Sequence, residues 1–263
     1  MLDLILLGDA PMVDCEAINP APAVELVAGL PEWGSARVIM VGEVHGRLAA
    51  PCMVEALARR LIAEDRTVAF GFEDEGDPPA VLGGIKDAIA ARDVEAALAL
   101  VLETPGWAER PHDGRETLAV YQLYRFAFEE ISGSPERLEF LNHGRREPGQ
   151  FDKRETMTRR LAGLIESNGP DVVVLALVGN NWTGGYIDSI CARLEETSGI
   201  DPLCLEVGRT LHSTSDDCEW AFGTPAVMNF INVRDWDNPV DYVMTTPCDR
   251  RSGPAIDWLA TPP

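Results

Sequence analysis

Lysine is almost missing from this chain: Lys86 and Lys153 are the only two in 263 residues, and histidine occurs four times. Lysine and arginine together number 22 against 43 aspartates and glutamates, a formal net charge of −21. Nucleic acids and anionic membrane surfaces need a basic footprint, so neither is expected as the main partner. No apolar run approaches the roughly 18 residues that suggest a membrane span. The opening Met1–Gly8 has a brief apolar stretch, but no basic residue precedes it and Asp3 interrupts it. As written it does not read as a secretory signal. None of the six cysteines stands in a C-x-x-C pair, which argues against a zinc ribbon or a thioredoxin-type site. H-E-x-x-H and G-x-S-x-G are absent as well, which removes the familiar zinc-protease helix and the serine-nucleophile elbow.

What is present is a foldable, apolar-rich chain. Hydrophobic residues make up 46%, too many for a disordered segment, and the length suffices to bury a substantial core. Runs rich in Val, Ile and Leu alternate with helical patterns. The strands predicted are Arg37–Val41, Thr67–Phe72, Leu138–Leu141, Val172–Val178, Leu203–Val207, Val227–Val233 and Tyr242–Thr245. Met53, Leu57 and Leu61 repeat at helical spacing; so do Val94, Leu98, Val101 and Leu102, ended by Pro105-Gly106. Further helices are predicted around Thr117–Ile131 and from about Lys153 to a stop at Asn168-Gly169-Pro170. Strand–helix–strand alternation of this kind implies an α/β fold, a mostly parallel sheet flanked by helices. A helical cap insertion over about 80–132 and an irregular C-terminal edge complete the expectation. No linker or repeat divides the chain, so 1–263 is read as one domain with its core at about 36–247.

The cysteines leave the compartment open. Cys15, Cys218 and Cys248 sit in polar, loop-like surroundings, where a reduced thiol gains little from burial. An even count in such places fits an oxidising compartment and an exported, periplasmic form; buried thiols in the cytosol are the other reading. Cys218 and Cys248 flank the penultimate strand and are expected to bridge, contributing about 3–4 kcal/mol on the chain-entropy view.

In an open α/β sheet the ligand site lies beyond the carboxyl ends of the strands, so the residues just past each strand are the ones to inspect. Val38–Val41 runs into Gly42-Glu43-Val44-His45-Gly46, and Val68–Phe72 into Glu73-Asp74-Glu75. Leu138–Leu141 runs into Asn142-His143-Gly144-Arg145-Arg146, and Val172–Val178 into Gly179-Asn180-Asn181-Trp182. Each element has a bland explanation: Glu43 as a helix cap, the 73–79 run as a solvated loop, His143 and Arg145 as surface. Their convergence on one edge is the functional signal.

The same stations carry a resemblance. Gly42-Glu43-Val44-His45 resembles the G-E-x-H signature of the superfamily that joins ChaN-like haem-uptake proteins, erythromycin-esterase-like proteins and the Tiki/TraB group. Phe72-Glu73 is similar to its second-strand glutamate, and Leu141-Asn142-His143-Gly144-Arg145 to a segment of the ChaN-like branch. Arg154-Glu155-Thr156-Met157 resembles its R-D-x-x-M helix start; Val178-Gly179-Asn180 and Asp241-Tyr242-Val243 to Thr246-Pro247 resemble its later strands. The chain departs at one point: Trp182 stands where a second histidine is expected, and His143, at a neighbouring strand end, is the candidate replacement imidazole, with a surface histidine as the bland alternative.

These residues support two classes of function. The first is hydrolysis of an ester, amide or peptide bond, with Glu43 or Glu73 as general base, His45 orienting water or substrate, and Arg154 or Asn180 stabilising developing charge. Asn142, His143, Arg145 and Trp182 then line the ligand, a small molecule or a peptide. A metal-assisted variant uses Glu43, His45 and Glu73 as ligands to zinc, manganese or iron. The second, which the resemblance implies, is a non-enzymatic haem- or iron-binding uptake protein; haem needs an axial His or Tyr, for which His45, Tyr121, Tyr124 and Tyr186 are available, although aromatics at such helical positions are more often core than ligand, and Trp182 suits a stacking surface.

Overall fold

The computed structural model describes residues 15–73, 79–104, 107, 117–142, 153–183, 189–208, 221–223 and 242–245. Seven strands form one sheet: β1 (Val38–Glu43), β2 (Thr67–Phe72), β3 (Leu138–Phe140), β4 (Val172–Gly179), β5 (Leu203–Gly208), β6 (Ala221–Gly223) and β7 (Tyr242–Thr245). Their order across the sheet is β3-β2-β4-β1-β5-β7-β6. Every neighbouring pair is parallel except β6 with β7, so the parallel core and the departure at the C-terminal edge both match the expectation. β6 has only three residues, too short to leave a periodic signal in the sequence. The strand predicted at Val227–Val233 lies outside the described residues.

Eight α-helices are described: α1 (Ala21–Ala28), α2 (Ala49–Ala63), α3 (Pro79–Ala90), α4 (Val94–Leu102), α5 (Leu118–Glu130), α6 (Lys153–Asn168), α7 (Asn180–Thr183) and α8 (Ile190–Ser198). Local chemistry bounds them. Asp93, Thr117 and Ser189 cap α4, α5 and α8 by accepting from backbone N–H groups of the first turn. At the predicted stop of α6, Gly169 takes φ +77°, a left-handed conformation that suits glycine.

Because side chains alternate along a strand, the sheet presents two cores. Ile39, Val41, Phe70, Phe72, Leu175 and Leu177 face α1 to α5, the last three of which are the helical insertion. Val38, Met40, Val174, Ala176 and Val178 face α6 and α8. β1 and β4 are neighbours, yet β1 leads into α2 on the first face and β4 leads on to α8 on the second. Connections that leave adjacent strands toward opposite faces open a crevice at their carboxyl ends. Glu43 pairs with Gly179 at that point.

Disulfides join Cys15 to Cys52 and Cys191 to Cys204. The first ties the segment before α1 to α2, the second ties α8 to β5. Neither is the bridge anticipated, whose cysteines, Cys218 and Cys248, lie outside the described residues. Cys52 and Cys204 sit within apolar stretches and are 1% and 2% exposed, so their partners are set by packing rather than by loop context. Two disulfides are compatible with an exported form. No helix among the described residues is long and apolar enough to cross a membrane.

Candidate functional site

β1 delivers Glu43 to the crevice, and Gly46 at φ +83° turns the chain just after His45. His45 Nδ1 lies 2.8 Å from Glu43 Oε1. Glu43 is buried and His45 half-buried, while Val44 between them is exposed, so the two polar side chains converge and the valine turns away. A carboxylate on Nδ1 favours the tautomer with its proton there, so that Nε2 carries the ring's lone pair. The other edge of the ring lies on the backbone of β4. A Cβ at Gly179 would stand 3.0 Å from His45 Nε2 and 3.3 Å from Glu73 Oε2; only glycine permits so close an approach.

Glu73 lies just past β2 and reaches across β4. Its Oε2 accepts from the Gly179 N–H at 2.6 Å and its Oε1 from Trp182 Nε1 at 2.9 Å. Lys153 Nζ, in the first turn of α6, lies 3.0 Å from the same Oε1. Three donors from β4, α7 and α6 therefore engage one buried carboxylate. Trp182 stands at the place where a second histidine was expected, and its indole N–H points into this carboxylate. Its ring is occupied too, with Lys153 Nζ 5.1 Å and the Arg154 guanidinium carbon 5.7 Å from the centroid; this is cation–π range.

The remaining candidates divide. Arg154 stands beside Trp182 at the start of α6, and Asn180 opens α7, its carbonyl accepting from Thr183 Oγ1. Asn142 lies beyond β3 at the far side of β2 and is half-buried. His143 and Arg145 lie outside the described residues, as does Tyr186. Tyr121 and Tyr124 are corrected: they are 3% and 2% exposed, packed with Trp107, Phe72 and Phe128 in an aromatic cluster under α5. Helical spacing put them on the core-facing stripe, where no axial coordination of a ligand in the crevice is open to them. Glu43, His45 and Glu73 are the three residues of the expected metal set. Among the described residues no group of three His, Cys, Asp or Glu side chains is arranged to hold a metal ion; Glu73 is drawn toward its three donors instead.

Glu206 was missed. It lies in β5, paired with Gly42 of β1, and is 2% exposed with no donor at its Oε2. Burial alone pushes its carboxyl up to about 8. The available signal was a lone glutamate within Leu203–Val207, at the carboxyl end of an otherwise apolar strand. Alternation places it on the face of Cys204, opposite to that of Glu43.

No family model matches the chain, and neither does any curated protein. Among solved structures it is similar to that of cofacial haem binding to ChaN of Campylobacter jejuni, at 12% identity over 86% of this chain and 91% of that one, with a TM-score of 0.49. It is similar also to the type III effector HopBA1, at 13% identity over 73% of this chain and 84% of that one, with a TM-score of 0.38. Identities this low leave the chemistry of the crevice to this chain's own residues.

Proposed function

We propose that the crevice between β1 and β4 is a hydrolytic site in which the Glu43–His45 pair activates water against an ester, amide or peptide bond. The observation that carries this reading is the 2.8 Å contact between the buried Glu43 carboxylate and His45 Nδ1. In that arrangement Nε2 takes a proton from water as the oxygen bonds to the carbonyl carbon, and Glu43 stabilises the imidazolium. Arg154 and Asn180 are assigned to the developing oxyanion. When the intermediate collapses, the bond to the leaving group breaks and the imidazolium returns its proton to that group. Glu73 is a positioning residue that holds Gly179 and Trp182 in place.

The decisive variant is Glu43→Gln, which keeps the shape and removes the charge. It is expected to lower turnover of a responsive ester or peptide substrate by about 10²–10⁴-fold with an unchanged circular dichroism spectrum. Turnover equal to wild type would sink the proposal and leave Glu43 a structural cap.

A second reading, haem binding through His45, is favoured by one feature: the described site offers a single oriented imidazole, and haem iron asks for only one or two axial ligands where a bare metal asks for three or more. Titration with haemin separates the two. A Soret band that His45→Ala abolishes selects haem; no band, together with substrate turnover, selects hydrolysis.

A further inference from the structure

The Cys191–Cys204 bridge and Glu206 lie on the sheet face opposite to the Glu43 side chain. Cys204 and Glu206 are alternate residues of β5, so both point to that face, with their Cα atoms about 6.7 Å apart by strand geometry. The two sulfurs are unequal. Cys204 is 2% exposed, whereas Cys191, on the outer helix α8, is half-buried, with Met40 Sδ 3.6 Å from its sulfur. Gly42, the register partner of Glu206, has no side chain to fill the space between strands, and a Cβ there would collide with Thr183 of α7. Val243 flanks Glu206 on the other side.

Among the described residues no charge that compensates Glu206 is found. Glu43 of β1 points to the other face, α7 has no ionisable residue, and Arg193, Glu195 and Glu196 of α8 make no contribution to its raised pKa, which burial alone causes. The Glu206 carboxyl and the Cys204 sulfur therefore belong to one face of β5, two residues apart and both buried.

We propose that Cys191–Cys204 is a thiol–disulfide exchange site for an external dithiol, with Glu206 as the proton donor to Cys204. Attack falls on the more accessible Cys191. The external thiolate bonds to Cys191 Sγ, the Cys191–Cys204 bond breaks, and its electron pair goes to Cys204 Sγ. A thiolate there would be stranded in an apolar core, where burial disfavours the charged form. Glu206 gives its proton to Cys204 and becomes a carboxylate. The second thiol of the reductant, deprotonated, then displaces Cys191, which takes a proton from water, as Glu206 does. Two electrons have passed from the dithiol to the bridge, and the reductant leaves as a disulfide.

The test monitors the reduction of both bridges by dithiothreitol in the intact protein, quenched by alkylation and resolved by peptide mass spectrometry. Cys15–Cys52 is the internal reference, so the thiolate content of the reductant cancels in the ratio of the two rates. In wild type this ratio is expected to fall about tenfold between pH 7 and 9.5 as Glu206 loses its proton. Glu206→Gln is expected to lower the ratio at pH 7 by about tenfold and to flatten its pH profile. A flat profile in wild type overturns the proposal without recourse to any variant, and so does a Glu206→Gln protein that keeps the wild-type profile.

Discussion

Glu73 and Glu206 stand at the carboxyl ends of two strands of one sheet, 7% and 2% exposed, yet they are opposites. The end of β2 surrounds its carboxylate with a backbone N–H, an indole N–H and an ammonium group. The end of β5 offers Glu206 Oε2 no donor at all. A buried charge is tolerated where donors and a countercharge replace water; without them the group keeps its proton. Burial is thus common to both regions, and the donor set separates them: Glu73 is tied to β4, α6 and α7, whereas burial raises the pKa of Glu206.

The two glutamates are expected to differ most in how stability responds to pH. The carboxyl of Glu206 ionises at about 8 in the folded protein, against 4.5 as its ordinary value. Below pH 4.5 both folded and unfolded chains carry the proton. As pH rises further the unfolded chain releases it first, so stability falls until the folded carboxyl ionises too, near pH 8. This one group is expected to remove on the order of 4 kcal/mol across that window. Urea denaturation of wild type and Glu206→Gln at pH 5, 6.5 and 8 reads the effect as a difference of slopes. Parallel slopes would mean that Glu206 is as well compensated as Glu73.

A smaller effect is expected from the opposite direction. Glu73→Leu leaves the Gly179 N–H, the Trp182 indole and the Lys153 ammonium without their common acceptor. The predicted loss is about 2–4 kcal/mol at pH 7, tempered because Lys153 can turn toward water. A change in unfolding free energy below half a kcal/mol would show that the brace is idle. The smallest step is Trp182→Phe, which keeps an aromatic ring beneath Lys153 and Arg154 and removes one hydrogen bond to Glu73. About 1 kcal/mol is expected, and a thermal melt coincident with wild type would remove Trp182 from the brace.

Much of this frame was legible before any coordinates. Thr67–Phe72 and Tyr242–Thr245 have the bounds that the apolar runs suggest, and Val172–Val178 is extended only by Gly179. Short β-branched runs and helical stripes are local signals, and neither needs tertiary contacts to be seen. The meeting of Glu43, Glu73 and Gly179 was also foreseeable, because parallel strands bring their carboxyl ends to one edge. What Glu73 meets there was not. Its donors come from residues 80 to 109 positions further along the chain, and no spacing rule connects them.

An α/β sheet with a parallel core, helices on both faces, and a Glu43–His45 pair two residues apart beyond a buried strand are written into the linear chain. Those features arise from periodicity and from the geometry of a single strand end. It took the packed fold to join Cys15 to Cys52 and Cys191 to Cys204, to place Tyr121 and Tyr124 in the core, and to give Glu73 three donors while leaving Glu206 Oε2 without one. The physical reason is common to all of these. A disulfide partner, an aromatic contact or a hydrogen-bond donor is chosen by proximity in space, and it is packing of distant elements on the two faces of the sheet that creates that proximity.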